Sequence, residues 1–163
     1  MHIPFFTFAF AAGVALNPFL ASCAENSKHH PHPFFDEHLA FIREQFPKVR
    51  YLITVCTGAF IAARSGVLDD RNATTNKHAW ADAPVYGPKV KWIAHARWVV
   101  DGKVWSSAGV SAGIDAVLGW IAEVYGVDIA EGLALDMEYE RHADPSWDPF
   151  AEYYNITDHF PSL

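Results

Sequence analysis

The ten residues Tyr51–Phe60, YLITVCTGAF, set the architecture of this chain. Tyr51 to Val55 is a short, continuous apolar run, the pattern of a strand covered on both faces in a parallel sheet. It runs into Cys56, then Thr57-Gly58, and then small and apolar residues from Ala59 to Ala63 that read as helix, with Gly66 as terminator. A strand that turns at once into a helix raises the corner residue above the carboxyl edge of the sheet, where α/β proteins build sites and some hydrolases hold a nucleophile. Cys56 is therefore either a nucleophile on a sharp turn or a small buried apolar residue, the ordinary fate of a lone cysteine.

Working outward, Phe35, Leu39, Ile42 and Phe46 are spaced by four, three and four residues. That is one buried helix face, with Asp36 placed to cap its start and Pro47 to end it. DDRNATT reads as a turn into a short strand and NKHAWADAP as a brief helix or loop, while KVKW reads as a solvated strand edge. RWVV and KVWSS alternate, joined by Asp101-Gly102, the chemistry of a two-residue hairpin. Val110, Ile114, Val117, Leu118, Ile121, Val124 and Tyr125 form a helical stripe that Gly126 stops. Gly109, Gly113 and Gly119 weaken that helix by about 1 kcal/mol each relative to alanine, which predicts close backbone packing or a functional turn at its start. GVDIAEGLALDMEYE predicts a last amphipathic helix, with Asp136, Glu138 and Glu140 on a solvated face, and DPSWDPFAEYYN an aromatic tail laid across the body. Trp92, Trp98 and Trp105 are expected in the core. His78 and His95 are candidate proton carriers, more ordinarily surface histidines. Strands alternating with helices predict an α/β three-layer sandwich with a mainly parallel sheet.

A chain of 163 residues suits one domain. Its net charge of −7, with no basic stripe, argues against a nucleic-acid partner. Ile3 to Ala21 is apolar but interrupted by Pro4 and Pro18, which argues against a membrane span, and residues 1–24 fit a secretory signal better, although no Lys or Arg precedes Lys28. A buried core element and an artefactual start of the chain are the alternatives. The protein is expected to be secreted if the leader is genuine and cytoplasmic otherwise. LASC, ending at Cys23, also matches a lipoprotein box, and two cysteines make no disulfide framework. Residues 25–33 read as a linker whose His29, His30 and His32 are a weak metal candidate beside the plainer reading of a solvated tract; residues 34–163 form the domain. No cofactor or metal is expected.

VCTGAFIAARSGVLDDRNATTNK, followed by VKWIAHARWVVDGKVWSSAGVSAGIDAVL, resembles the ThiJ/PfpI superfamily of class I glutamine-amidotransferase-like proteins, in the branch that includes isocyanide hydratases. The resemblance covers Phe34 to Tyr154 in order and spacing. It implies a flavodoxin-like α/β fold, a reactive Cys56 with Thr57 beside it, and Asp115 of SAGID near the site. It implies a small electrophilic substrate such as an isocyanide, and a homodimer. In that chemistry the thiolate adds to the terminal carbon of the isocyanide and water resolves the thioimidate to a formamide.

Two departures qualify the resemblance. Protease-like and glutaminase-like members carry His after the cysteine, where this chain has Thr57. Strands expected before the elbow, with an acid and a Gly-Gly pair, find no match upstream of Cys56. The chain is then an amino-terminally truncated relative, or one whose missing edge another subunit supplies. A non-catalytic or redox-sensing relative is the alternative function.

Overall fold

The computed structural model describes Ala11–Ala12 and residues 33–161. The lipoprotein box at Cys23, the linker histidines and most of the leader lie outside the described residues. So do the side chains of Phe34 and Phe35. The elements in chain order are β1 (Ala11–Ala12), α1 (Pro33–Gln45), β2 (Leu52–Val55), α2 (Gly58–Arg64), β3 (Asn72–Ala73), a 3₁₀ turn (Trp80–Asp82) and α3 (Ala83–Tyr86). Then follow β4 (Lys91–Trp92), β5 (Trp98–Asp101), β6 (Val104–Ser107), α4 (Val110–Tyr125), α5 (Val127–Asp136) and α6 (Phe150–Tyr153).

One sheet has the order β1-β2-β6-β5, and β3 and β4 form a small parallel pair beside it. β1 and β6 both run parallel to β2, with Ala12 opposite Val55 and Val55 opposite Ser107. β5 returns antiparallel to β6. Its hairpin turns one residue later than the sequence suggests. Asp101 pairs with Val104, so Gly102 and Lys103 form the loop, and Gly102 takes the positive φ of +59° that the turn needs. The Asp101 side chain can then reach across to β3. Its carboxylate accepts the Asn72 amide at 2.9 Å and pairs with Arg71 at 3.0 Å, fastening β3 to the hairpin.

Alternation along β2 sorts the core into two faces. Leu52 joins Phe60, Leu68, Trp92 and Val104 under α2. Ile53 joins Trp98, Trp105, Ala116 and Trp120 under α4. Helices therefore cover both faces, in three layers. Trp92, Trp98 and Trp105 are buried as expected, and Trp92 corrects the reading of KVKW as a solvated edge. Only the two lysines of that stretch, Lys89 and Lys91, are exposed; Val90 and Trp92 are wholly buried because the strand is covered by α2 and the carboxyl tail.

α1 starts at Pro33, a residue suited to the first helical position, so Asp36 lies in the first turn and complements the helix dipole instead of capping it. Gly66 ends α2 at φ +84°. α4 packs close to the sheet: a Cβ on Gly113 would stand 2.6 Å from Val55 Cγ1. Gly109 has open space around it and serves as the N-cap of α4.

α5 ends at Asp136, short of the predicted Glu140, and Glu138 sits at φ +51° beyond it. It buries only Ala130 and Ala134 against α4, leaving Val127, Ile129, Leu133, Leu135 and Met137 exposed. Small residues let the two helices approach, and the bulky ones turn outward. Between α4, α5 and the end of β2 lies an apolar pocket of about 350 Å³, lined by residues that include Val55, Val110, Ile114, Val117, Leu133 and Met137. Beyond the aromatic stretch, whose Trp147, Phe150, Tyr153 and Tyr154 are exposed, the carboxyl tail pairs with β4: His159 and Trp92 exchange backbone hydrogen bonds of 2.9 and 2.8 Å. No helix among the described residues is long and apolar enough to cross a membrane.

Candidate active site

Cys56 follows the last residue of β2 and precedes α2 by one residue. Its backbone is left-handed, φ +58°, a conformation that side chains with a Cβ adopt at a cost of roughly 1–2 kcal/mol. The reversal is the elbow that the sequence suggests, and Gly58 and Ala59, both buried, leave room for it. The thiol group is free and its residue half-buried, so Cys56 is not a fully packed core residue.

The strained residue is held at both ends. Its N–H donates to the Ser107 carbonyl at 3.2 Å. Its carbonyl accepts the hydroxyl of Thr75 at 3.0 Å. Ser107 is locked in turn, its hydroxyl donating to the Thr54 carbonyl at 3.0 Å, and Ser106 accepts the Thr74 amide at 2.9 Å. Thr57 is half-buried beside the cysteine and occupies the N-cap of α2 without a side-chain capping bond.

Asp115 is wholly buried in α4. One of its oxygens is gripped by Arg97, from Nε at 2.7 Å and Nη2 at 2.6 Å; the other accepts the His142 amide at 3.0 Å. The acid thus ties α4 to the strand-start arginine and to the carboxyl tail. Arg97 also donates its backbone N–H to Pro145 at 2.7 Å and lies 5.2 Å from the Trp147 ring centre. Burial, and then the negative charge of Asp115, hold the Tyr139 phenol above its ordinary range.

Lys77 forms a second buried anchor. Its ammonium stands 3.1 Å from Asp148 in an ion pair off the line of a hydrogen bond. It also donates to the Ala96 carbonyl at 2.9 Å and to the Thr74 hydroxyl, and lies 5.0 Å from the Trp80 ring centre. Burial draws it down to about 8, against the opposing pull of Asp148.

The structure thus places Cys56 and Thr57 side by side at the elbow and commits both oxygens of Asp115 to Arg97 and the tail. Thr75, Ser107, Lys77 and Arg97 were not singled out in the sequence. Two adjacent threonines after a strand were the available signal for Thr75; a lysine and an arginine ordinarily signal solvent. His78 and His95 are exposed, His78 lying 5.6 Å from the Tyr154 ring. Among the described residues no three His, Cys, Asp or Glu are grouped to hold a metal.

The model of the DJ-1/PfpI family matches residues 31–123, more than half of the chain. The chain belongs to the DJ-1/PfpI family. An isonitrile hydratase of Pseudomonas putida is 35% identical to it over 104 residues, which are 64% of this chain and 44% of that protein. The HTH-type transcriptional regulator GlxA of Rhizobium meliloti is 35% identical over 94 residues, 56% of this chain and 28% of the regulator. The chain therefore spans less than half the length of these curated relatives. A ThiJ/PfpI family protein of Pseudomonas syringae superposes with a TM-score of 0.53 at 30% identity, over 69% of this chain and 44% of that one. Toxoplasma gondii DJ-1, at TM-score 0.50 and 19% identity over 62% of this chain and 54% of that one, shares the fold. The DJ-1/PfpI core is thus the flavodoxin-like, class I amidotransferase-like sandwich, here with Cys56 at its elbow.

Proposed function

We propose that this DJ-1/PfpI chain is a cysteine-dependent catalyst of water addition to a small electrophilic carbon, with isonitriles as the substrate class. The observation that carries this is Cys56, a half-buried residue with a free thiol on a left-handed strand-to-helix turn. The thiolate adds to the terminal carbon of R–N≡C, and a proton delivered to that carbon gives the thioimidate. Water then adds to the same carbon, the C–S bond breaks, the sulfur leaves as thiolate, and R–NH–CHO departs. The sum is one isonitrile and one water to one formamide. Thr57 takes the role of binding the substrate nitrogen or the attacking water. Asp115, with both oxygens engaged, acts by orientation through Arg97 and not by carrying the proton.

A second reading keeps the reactive cysteine without turnover, as an oxidant-sensing or ligand-sensing domain. It is favoured by the relatives that are transcriptional regulators. Pairing of two copies suits both readings.

The two are separated by incubating the purified chain with an alkyl isonitrile and following the formamide proton by NMR. Turnover is expected, and Cys56→Ser should lower it by at least about a hundredfold, the scale of removing a positioned catalytic group. Turnover that survives the serine change ends the first reading; a thiol that reacts once with oxidant while isonitrile stays intact establishes the second.

A further inference from the structure

Cys56 is held in its left-handed conformation by bonds to its own N–H and its own carbonyl, and these come from different parts of the fold. Ser107 lies on the neighbouring strand, so its bond continues the sheet ladder. Thr75 comes from the loop after β3, nineteen residues along the chain, and its bond is a side chain reaching for a backbone oxygen. Thr75 is wholly buried, so a lost hydroxyl leaves a carbonyl that water reaches poorly. The loop carrying it is itself fixed. The Thr74 amide is bound by Ser106, and the Thr74 hydroxyl by Lys77, whose ammonium also binds the Ala96 carbonyl.

We propose that Thr75 is a positioning residue for the Cys56 nucleophile, its hydroxyl fixing the peptide that joins Cys56 to Thr57. The proposal rests on the reading of Cys56 as a nucleophile. That peptide joins Cys56 to Thr57, the two neighbouring residues to which the proposed reaction gives roles, so its orientation bears on both. Left-handed backbone is disfavoured for any residue with a Cβ, so the peptide relaxes unless something holds it.

The test compares four proteins: wild type, Thr75→Val, Thr75→Ser and Thr54→Val. Valine removes the hydroxyl at nearly constant volume; serine keeps it. Thr54 is an internal control, a threonine of β2 two residues before Cys56, wholly buried, whose hydroxyl has no hydrogen-bond partner. Three quantities are read: the rate of Cys56 alkylation by iodoacetamide, located by peptide mass; kcat and KM for an alkyl isonitrile; and thermal unfolding. Thr75→Val is expected to slow alkylation and lower kcat by roughly five- to tenfold, the weight of one buried hydrogen bond, with KM little changed. Thr75→Ser should recover most of both, and Thr54→Val should match wild type. Should Thr75→Val fail to fold, Thr75→Ala is read in the same way. Alkylation unchanged or faster in the valine variant, or a serine variant as slow as valine, overturns the proposal. A wild type inert to isonitrile, with alkylation still slowed by valine and restored by serine, removes the catalytic reading and leaves Thr75 as the positioning residue of a reactive thiol.

Discussion

At the scale of single residues, the elbow sets stability against reactivity. Cysteine at φ +58° keeps a conformation that glycine adopts without penalty. Cys56→Gly relieves that strain and Cys56→Ala keeps it, while both remove the sulfur. The glycine variant is expected to be more stable than the alanine variant by about 1 kcal/mol, a Tm difference of roughly 2–4 °C for a chain of this size. Thermal unfolding of the pair measures it, and equal melting temperatures would mean that the turn carries no strain. Neither variant should form formamide. Asp115 illustrates the opposite case, a buried charge whose neighbours are all accounted for. A sequence shows an acid at the start of a helix but not the arginine that reaches it from eighteen residues away.

Among the elements, α4 helps to place the site, because its first turns press against Val55, the residue before the cysteine. Gly113→Ala drives a methyl group into the Val55 side chain and is expected to cost roughly 1–3 kcal/mol, as overpacking does. Gly132→Ala, in α5 with nothing within 4 Å, should instead stabilise by roughly 0.5–1 kcal/mol. Urea unfolding of the two variants tests both signs; a neutral Gly113→Ala would show that α4 can back away from β2. These elements were largely legible in the sequence. The run into Cys56, the Gly66 stop and the hairpin are local patterns, and local patterns survive folding. Helix α4 forms where its stripe predicts, but it buries Ala112, Gly113, Asp115, Ala116, Leu118 and Trp120 and leaves Val110 and Tyr125 of the stripe exposed. What was not legible is long-range. The hairpin turn moved by one residue because Asp101 is needed by Arg71 and Asn72. The apolar side of α5 stayed uncovered because its alanines, not its leucines, meet α4. Thr75 reads from sequence as part of a short strand and Lys77 as a helix or loop residue; what each does depends on partners, Cys56 and Asp148, that are nineteen and seventy-one positions away.

For the whole molecule, the Lys77–Asp148 pair fastens the carboxyl tail to the loop behind the elbow, and it carries a pH signature. Burial holds Lys77 near 8 where the unfolded chain has its ordinary value of 10.5. Between those values the unfolded state binds the extra proton, so stability rises with pH from about 8 to about 10.5; below 8 both states hold the proton and this contribution is level. Raising the pH from 8 to 10 should therefore stabilise wild type relative to Lys77→Met, by up to a few kcal/mol. Chemical denaturation at each pH measures it, and parallel profiles for the two proteins would exclude it. The comparison stops at pH 10 because Tyr139, held above its usual range, favours the folded state only while its phenol keeps its proton.

The uncovered side of α5 has a colloidal consequence. From Val104 to Glu140 the chain holds no lysine or arginine, so the charges this stretch sets beside its bare hydrocarbon are all carboxylates. With a net charge of −7, copies of this chain repel one another, and that repulsion opposes contact between these apolar surfaces. Dissolved electrolyte shortens that repulsion to about 10 Å at 0.1 M, and acidification toward the isoelectric region removes it. Brine and vinegar therefore push this molecule the same way, toward clumping.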